Sequence, residues 1–554
     1  MYKYPIITHE KSRLLYVCEW QDPKGKIKDQ MIKFADLIKT PEEVSTFLMS
    51  PYSLWTAAAK GISAEEIIEF LEKKSQNKLS EGFINTVKKN IREFGSLSFV
   101  TEDGYLVLKA KNHYIISEIK RINTIESKIV AEPNETSLIF NHRDRLEIKK
   151  ILFNQSLFIK DSTNYRGNTL NFRLLKKDSY GEPIVLQDFQ SQAAESFLEY
   201  NRHAGGGGTI IMPPSSGKTL VALKIMESLE TTTLIITENE SSLKRWMSEI
   251  SDKTDYPKDL VGSICSSHID MKPITVSTYR DVYNNLNHLK EFGLIIYDDA
   301  HKLPTENNEK TVLIQSTYKL ALASTLARSD GQGMNVIGLI GPKWYEILPN
   351  KLVESGFHVP VNCVEIKIPL PQLELEEYER ASNNPEHQRN IAANNSLKRV
   401  VTDYFLKTRP TNQTLIISFF VEIAKKYGDW FDLEVITGED SLENEEIDAL
   451  LVAFNNKRIT KMIASSLKVE RKQFNELDTI IALTYQKGSE REEYLRVGKL
   501  MPQHSKTESY LISLVTRNSI EERDYFRRKR KLSNYGFRYK IEHYESILAE
   551  GNNS

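Results

Sequence analysis

Apolar positions along the chain follow two regimes, which change near residue 180. Up to about residue 95 the spacing is mostly helical. Residues 63–71 (SAEEIIEFL) predict the start of an amphipathic helix, with Ser63 as N-cap and Glu66 at the third helical position. Residues 96–109 (SLSFVTEDGYLVLK) alternate around Glu102-Asp103-Gly104 and predict a β-hairpin. Helices followed by a hairpin suit a small α+β module of winged-helix type. Residues from about 140 to 180 are rich in Arg, Lys and Asn and carry little periodicity.

Beyond residue 180 the rhythm becomes strand, helix, strand. Short apolar runs recur at 209–212 (TIIM), 233–236 (TLII), 274–277 (ITVS), 294–297 (LIIY) and 320–323 (LALA). Near-continuous apolar strands of this length predict a parallel sheet covered on both faces. Residues 369–399 then turn polar and predict an exposed helical linker. A second series follows at 414–417 (TLII), 433–436 (LEVI), 462–464 (MIA), 480–483 (IIAL) and 510–514 (YLISL). The expected organisation is an N-terminal region over 1–178, a first α/β unit over 179–365, a linker over 366–400 and a second α/β unit over 401–554.

Composition narrows the classes. A chain of 554 residues exceeds one hydrophobic core. Its 40% hydrophobic and 27% charged residues are ordinary for a globular protein. The net charge of -1 excludes a whole-chain basic field, so a nucleic-acid partner needs a local positive surface. Cys18, Cys265 and Cys363 lie far apart without a CxxC pair, which argues against a zinc knuckle and fits a reducing compartment. No apolar run is long enough to span a bilayer and the N-terminus lacks a signal-peptide pattern, so a cytoplasmic setting without membrane is expected.

Two motifs carry chemistry. The strand ending at Met212 runs into PPSSGKT and then an apolar helix over 220–229, the context of a phosphate loop. In the loop Pro214-Ser215-Ser216-Gly217, the backbone amides after the proline and the helix N-terminus would cradle the phosphates of ATP. Lys218 would reach the β- and γ-phosphates, and Thr219 would ligate Mg²⁺. Met212 stands where the strict motif has its first glycine. Residues 294–301 (LIIYDDAH) form an apolar strand ending in two carboxylates and a histidine. Asp298 would hold Mg²⁺, Asp299 would orient and deprotonate the attacking water, and His301 would couple the nucleotide site to the other unit.

DDAH resembles the DExH box of superfamily 2 helicases, with Asp299 in the glutamate position. Further segments resemble the XPB family, its bacterial members in particular. Residues 186–194 (LQDFQSQAA) look like the family's first motor helix, where Gln190 matches a glutamine near the adenine. Residues 320–328 (LALASTLAR) resemble motif III, normally LTATLxR. Arg328-Ser329-Asp330 falls at the family's Arg-Glu-Asp element, with serine replacing glutamate. Residues 339–343 (LIGPK) and 50–61 (SPYSLWTAAAKG) extend the likeness over nearly the whole chain. The resemblance implies an α/β protein of two tandem RecA-like parallel-sheet lobes with a smaller α+β N-terminal region. It also implies ATP-driven 3′–5′ translocation on single-stranded or forked DNA, with duplex opening; related motors can work beside a nuclease partner. Lys244 and Arg245, beside Trp246, follow the second strand of lobe one, where this motor class touches the DNA backbone. Arg328 is a further DNA-binding candidate.

The second lobe departs from the pattern. Residues 495–502 (LRVGKLMP) stand at motif VI, normally QRxGRxxR. Arg496 and Gly498 persist, Lys499 occupies the place of an arginine finger, and Pro502 replaces the last arginine. Such a finger is worth ~10³–10⁵ in rate, and lysine lacks its planar fork. Residues 465–474 (SSLKVERKQF) lack the acidic residue expected of motif V. At 299 the shorter side chain withdraws the base by about 1 Å, a displacement that can cost about a hundredfold. An active DNA-dependent ATPase and helicase is the favoured reading; the alternative is a hydrolysis-weak motor acting as an ATP- and DNA-binding scaffold or clamp. The basic stretch 523–531 (RDYFRRKRK) fits a solvated helix face better than a phosphate track.

Overall fold

The computed structural model describes residues 4–551 except 24, 40–43, 162–166, 180, 205, 266–267, 290–291, 327–329, 331, 410–412, 438–443, 466–473, 475–476, 486–489, 503–506 and 535–536. Its first element is a sheet that helical periodicity does not predict. Strands β1 (Ile6–His9), β2 (Leu14–Cys18), β3 (Asp36–Lys39) and β4 (Val44–Leu48) lie in the order β1-β2-β4-β3. Each has four or five residues, too few for alternation to stand out from helical spacing. The sheet shares a core with the helix Ala64–Lys74, which buries Ile67, Ile68 and Leu71. That helix opens on the expected capping box. The Ser63 hydroxyl accepts from the Glu66 amide at 3.2 Å, and the Glu66 carboxylate accepts from the Ser63 amide at 2.7 Å.

The expected hairpin is β5 (Leu97–Glu102) and β6 (Tyr105–Ala110), with Glu102 opposite Tyr105. Asp103 and Gly104 turn the chain with φ of 49° and 80°, as a two-residue hairpin loop requires. Strands β7 (Ala131–Asn134), β8 (Ser137–Phe140) and β9 (Ile159–Asp161) complete a five-stranded sheet. β9 and the helix Arg145–Asn154 lie in the segment that lacks periodicity. Arg145 and Lys149 are buried on that helix, which is why no clean apolar stripe marks it.

The third sheet contains β10 (Gly207–Ile211), β11 (Thr233–Thr237), β12 (Val261–Cys265), β13 (His268–Ile269), β14 (Ile274–Thr278), β15 (Leu294–Tyr297), β16 (Tyr318–Ala323) and β17 (Lys343–Glu346). Their order is β13-β12-β14-β11-β15-β16-β10-β17, parallel throughout except for the short β13. All five expected strands are present; β12, β13 and β17 are additional. The N-terminal region packs on this lobe through aromatic rings. Trp55 stacks on Phe158 at 4.4 Å and Tyr52 on Phe153 at 4.6 Å, within the cluster that holds Ile211, Leu339 and Ile340. The Lys343 ammonium donates to Asp36 at 2.7 Å and to Glu346 at 2.6 Å, tying the first sheet to β17.

By its internal contacts the chain divides into two compact units, residues 1–38 with 43–347, and residues 39–42 with 348–554. The second carries β18 (Val361–Ile368), β19 (Thr414–Ser418), β20 (Val435–Ile436), β21 (Lys461–Ser465), β22 (Thr479–Ala482), β23 (Ser509–Thr516) and β24 (Tyr539–His543). The order is β20-β21-β19-β22-β23-β18-β24, and every pairing is parallel. The linker expected over 366–400 begins inside β18, which pairs with β23 along its whole length. Its helices are docked rather than free. Gln372–Arg380 and Pro385–Ala393 bury Tyr378, Ile391 and Ala392, and the Asn395 amide donates to the Thr516 hydroxyl at 3.2 Å. β18 escapes a search for apolar runs because Glu365 interrupts it. That carboxylate is buried against the Lys529 ammonium.

Replacing Lys343 with Ala leaves two carboxylates facing one another without their shared cation. Urea denaturation is expected to show a loss of about 3–5 kcal/mol, the usual effect of breaking a buried ion pair. A loss below about 1 kcal/mol would show that this tie does not hold the first sheet in place.

Candidate active site

β15, β16 and β10 are neighbours in the first lobe, and the chain leaves all three at their carboxyl ends, where parallel sheets place their ligands. β10 leads through Met212 into the phosphate loop, and the following helix is Lys218–Leu229. Ser215 and Gly217 have φ of 57° and 79°, so the loop turns through the left-handed region twice. At Gly217 a Cβ would lie 2.2 Å from Gln190 Nε2. Gln190 is buried on the helix Asp188–Ala204. It donates to the Ser216 carbonyl at 2.9 Å and accepts from the Gln187 amide at 2.9 Å. The glutamine expected near the adenine thus braces the phosphate loop in this structure. Within the loop, the Ser216 hydroxyl donates to the Pro213 carbonyl at 2.6 Å. Pro214 is buried, Ser215 exposed, and Thr219 half-buried in the first helical turn.

The Lys218 ammonium folds back on its own loop. It donates to the carbonyls of Met212 and Pro213 at 3.2 and 2.9 Å, and to the Ser324 hydroxyl at 3.0 Å. Ser324 directly follows β16, between the two motifs. Burial pulls the Lys218 pKa down to about 8, against the opposing pull of Asp299 and Asp298. Both carboxylates therefore lie within electrostatic reach of the ammonium.

Asp298 follows β15 and is buried. Trp246 donates its indole N–H to Oδ2 at 2.8 Å, Arg245 reaches the same oxygen at 3.3 Å, and Oδ1 accepts from the Asp299 amide at 3.0 Å. The Tyr279 hydroxyl donates to the Asp298 carbonyl at 3.0 Å. Burial, then the neighbouring Asp299 charge, raises the Asp298 pKa; Arg245 and the indole oppose that rise. Asp299 has φ of 50°. Aspartate tolerates this left-handed conformation better than most residues, so the shorter side chain suits the turn. His301 is buried, its Nδ1 3.9 Å from Asp299 Oδ1.

Three residues take places that their sequence context does not single out. Trp246 is more than core packing, because its N–H holds the carboxylate. Ser324, inside the motif III segment 320–328, is a hydroxyl beside the lysine, and Tyr279 is a phenol on the backbone of the acidic motif. The sequence signal of Tyr279 is its position just after a strand's carboxyl end. Arg245, expected on DNA, has its guanidinium on Asp298, and both it and Lys244 are exposed. Arg328 and Ser329, with motif V residues 466–473, lie outside the described residues.

In the second unit, Arg496 is only 1% exposed on the helix Glu490–Leu500. Its guanidinium pairs with buried Glu493 at 3.2 Å and faces the Tyr485 ring. Lys499, one turn on, is half-buried, with its ammonium 5.1 Å from the Phe474 ring centre. The basic stretch falls on the helix Ile520–Asn534, where Tyr525 and Arg528 turn inward and Phe526 outward.

Comparison with known proteins agrees with this arrangement. Residues 352–553 match the family model described as ERCC3/RAD25/XPB C-terminal helicase, and residues 183–328 match that of the type III restriction enzyme res subunit. Over 98% of both chains, the sequence is 27% identical to the DNA 3′-5′ helicase XPB of Mycobacterium tuberculosis. The chain belongs to the XPB family of superfamily 2 helicases. The XPB of Kineococcus radiotolerans is 26% identical over 97% of this chain and 96% of its own. Among solved structures, the DNA-bound ATP-dependent Type ISP restriction-modification enzyme LlaBIII shares the fold, with a TM-score of 0.51 and 14% identity over 65% of this chain and 31% of that one. Residues 11–132 match a model described as helicase conserved C-terminal domain. In this XPB relative they form most of the two N-terminal sheets, whose pairings over that range are antiparallel.

Trp246→Phe keeps the ring but removes the donor to a buried carboxylate; calorimetry is expected to show a loss of about 1.5–3 kcal/mol. Nucleotide binding is expected to track the Lys218 titration. The free protein's ammonium loses its proton above pH 8, whereas binding phosphate requires it charged. Affinity for a fluorescent ATP analogue should therefore be level below pH 8 and fall about tenfold per unit above it. Lys218→Arg, which stays charged, should flatten that fall; an unchanged profile in the variant would assign the titration to another group.

Proposed function

We propose that this XPB-family chain is a DNA-dependent ATPase that converts ATP hydrolysis into 3′–5′ movement on single-stranded or forked DNA. The observation that carries the reading is the placement of Lys218, Asp298 and Asp299 at the ends of nearby strands, the lysine lowered by burial and drawn on by both carboxylates. The donor set fits Mg-ATP. Two left-handed turns and a helix N-terminus present amides to phosphate, and a Cβ at Gly217 would crowd Gln190. ATP supplies the phosphoryl group whose transfer to water drives the motor. Lys218 exchanges the carbonyls of Met212 and Pro213 for the β- and γ-phosphates. Thr219 and Asp298 would hold Mg²⁺. Asp299 orients the attacking water and accepts its proton, with His301 beside it. Lys244, Arg245 and Arg328 supply cations for the DNA backbone.

The test is phosphate release by the full chain, with and without forked DNA, beside Lys218→Ala. DNA is expected to stimulate the wild type and Lys218→Ala to abolish turnover; equal rates in the two proteins overturn the reading. Asp299→Glu, read with Lys499→Arg, separates a working motor from a hydrolysis-weak clamp. A gain approaching a hundredfold favours the clamp. No gain over an already DNA-stimulated enzyme favours the motor.

A further inference from the structure

The N-terminal region meets the first lobe over a cavity of about 40 Å³. Its wall holds an unusual charge balance. Arg145 and Lys149 come from the helix Arg145–Asn154, Lys319 from β16, and Asp161 from the end of β9. The three cations are 4–6% exposed. Arg145 donates to Asp161 Oδ2 through Nε at 3.0 Å and through a terminal nitrogen at 2.6 Å. Lys149 donates to the same oxygen at 3.0 Å and to the Leu339 carbonyl at 3.0 Å. Lys319 donates to the Val312 carbonyl at 2.7 Å.

Among the described residues, Asp161 is the one carboxylate that bears on the titration of Lys149 and Lys319. Arg145, Lys149, Lys319 and Lys160 line the cavity beside the single carboxylate of Asp161, and burial answers this basic surplus by driving Lys319 toward its neutral form. Burying charge in this way is unfavourable unless a counter-charge accompanies it. Lys149 and Lys319 both show the strain, their pKa values pulled down by burial and, second to it or next after Asp161's support, by their cationic neighbours. The cavity has room for one small ion with little water beside it.

We propose that this junction binds a small inorganic anion of chloride size, held by Arg145, Lys149 and Lys319. The anion completes the charge balance between the N-terminal region and the first lobe. It therefore stabilises their docking. The site stands apart from the phosphate loop: Lys319 lies near the start of β16, whereas Ser324, which touches Lys218, follows the other end of that strand.

The test uses the full chain at constant ionic strength, with chloride exchanged for gluconate, an anion too large for the cavity. The midpoint of thermal unfolding is expected to rise saturably with chloride by several degrees, and ³⁵Cl resonance to broaden in the protein's presence. Lys319→Met should abolish the chloride response, and Lys319→Arg should retain it. A wild-type midpoint that does not distinguish chloride from gluconate overturns the proposal, even if the methionine variant fails to fold. So does an equal chloride response in Lys319→Met.

Discussion

Parallel pairing of β15, β16 and β10 governs the first lobe. The register sets Tyr297 opposite Ala321 and Ala323 opposite Ile211. Three strands thus stop side by side, and the segments that leave their ends are forced into one small volume. β10 is followed by the phosphate loop, β16 by Ser324 and β15 by Asp298. A one-residue slip in any pairing would turn each strand's side chains to the opposite face and separate these groups. The pairing is protected from slippage by burial on both faces, since every residue of β15 and nearly every residue of β16 is buried.

Within that volume the electrostatics prepare a site for a cation. A carboxylate enclosed like Asp298 would otherwise take up a proton. The Trp246 indole and the Arg245 guanidinium oppose that tendency. Arg245 is thereby placed between two proposed tasks. It neutralises Asp298 in this structure and is also a cation proposed for the DNA backbone. Under the proposed function, a guanidinium drawn toward DNA phosphate would release a carboxylate oxygen of Asp298 for Mg²⁺.

Legibility in the sequence tracked burial symmetry. The strands of the two parallel sheets were readable where both faces are apolar, as at 294–297 and 480–483. They were unreadable where an ion pair enters the core: Glu365 in β18 with Lys529, and Lys343 in β17 with Asp36 and Glu346. The first sheet failed for another reason, since its strands are too short for any period. Of the site, the lysine, the carboxylates and the histidine were legible because motif spacing is local. The donors that hold them were not. Trp246 and Ser324 act across sheet neighbours far apart in sequence, and no local pattern encodes that adjacency. Gln190 was singled out for a place near the adenine, and its bond to the Ser216 carbonyl depends on how the helix Asp188–Ala204 lies against the loop.

In the second unit a retained motif residue sits in an enclosed setting. Arg496 survives at its expected position, yet its guanidinium is enclosed with Glu493 three residues earlier on the same helix and faces Tyr485. An ion pair this deeply buried is not easily opened, because separating one partner strands the other's charge. The more accessible positive charge of the motif is then Lys499, half-buried and facing an aromatic ring. A lysine there attracts a phosphoryl group without the planar fork that an arginine would bring. Asp299 adds a second constraint, because its left-handed backbone favours aspartate over the longer glutamate. Under the proposed function, the changes that bear on rate fall on one shortened carboxylate and one lysine, whereas the loop proposed to bind nucleotide keeps its glycine, lysine and threonine.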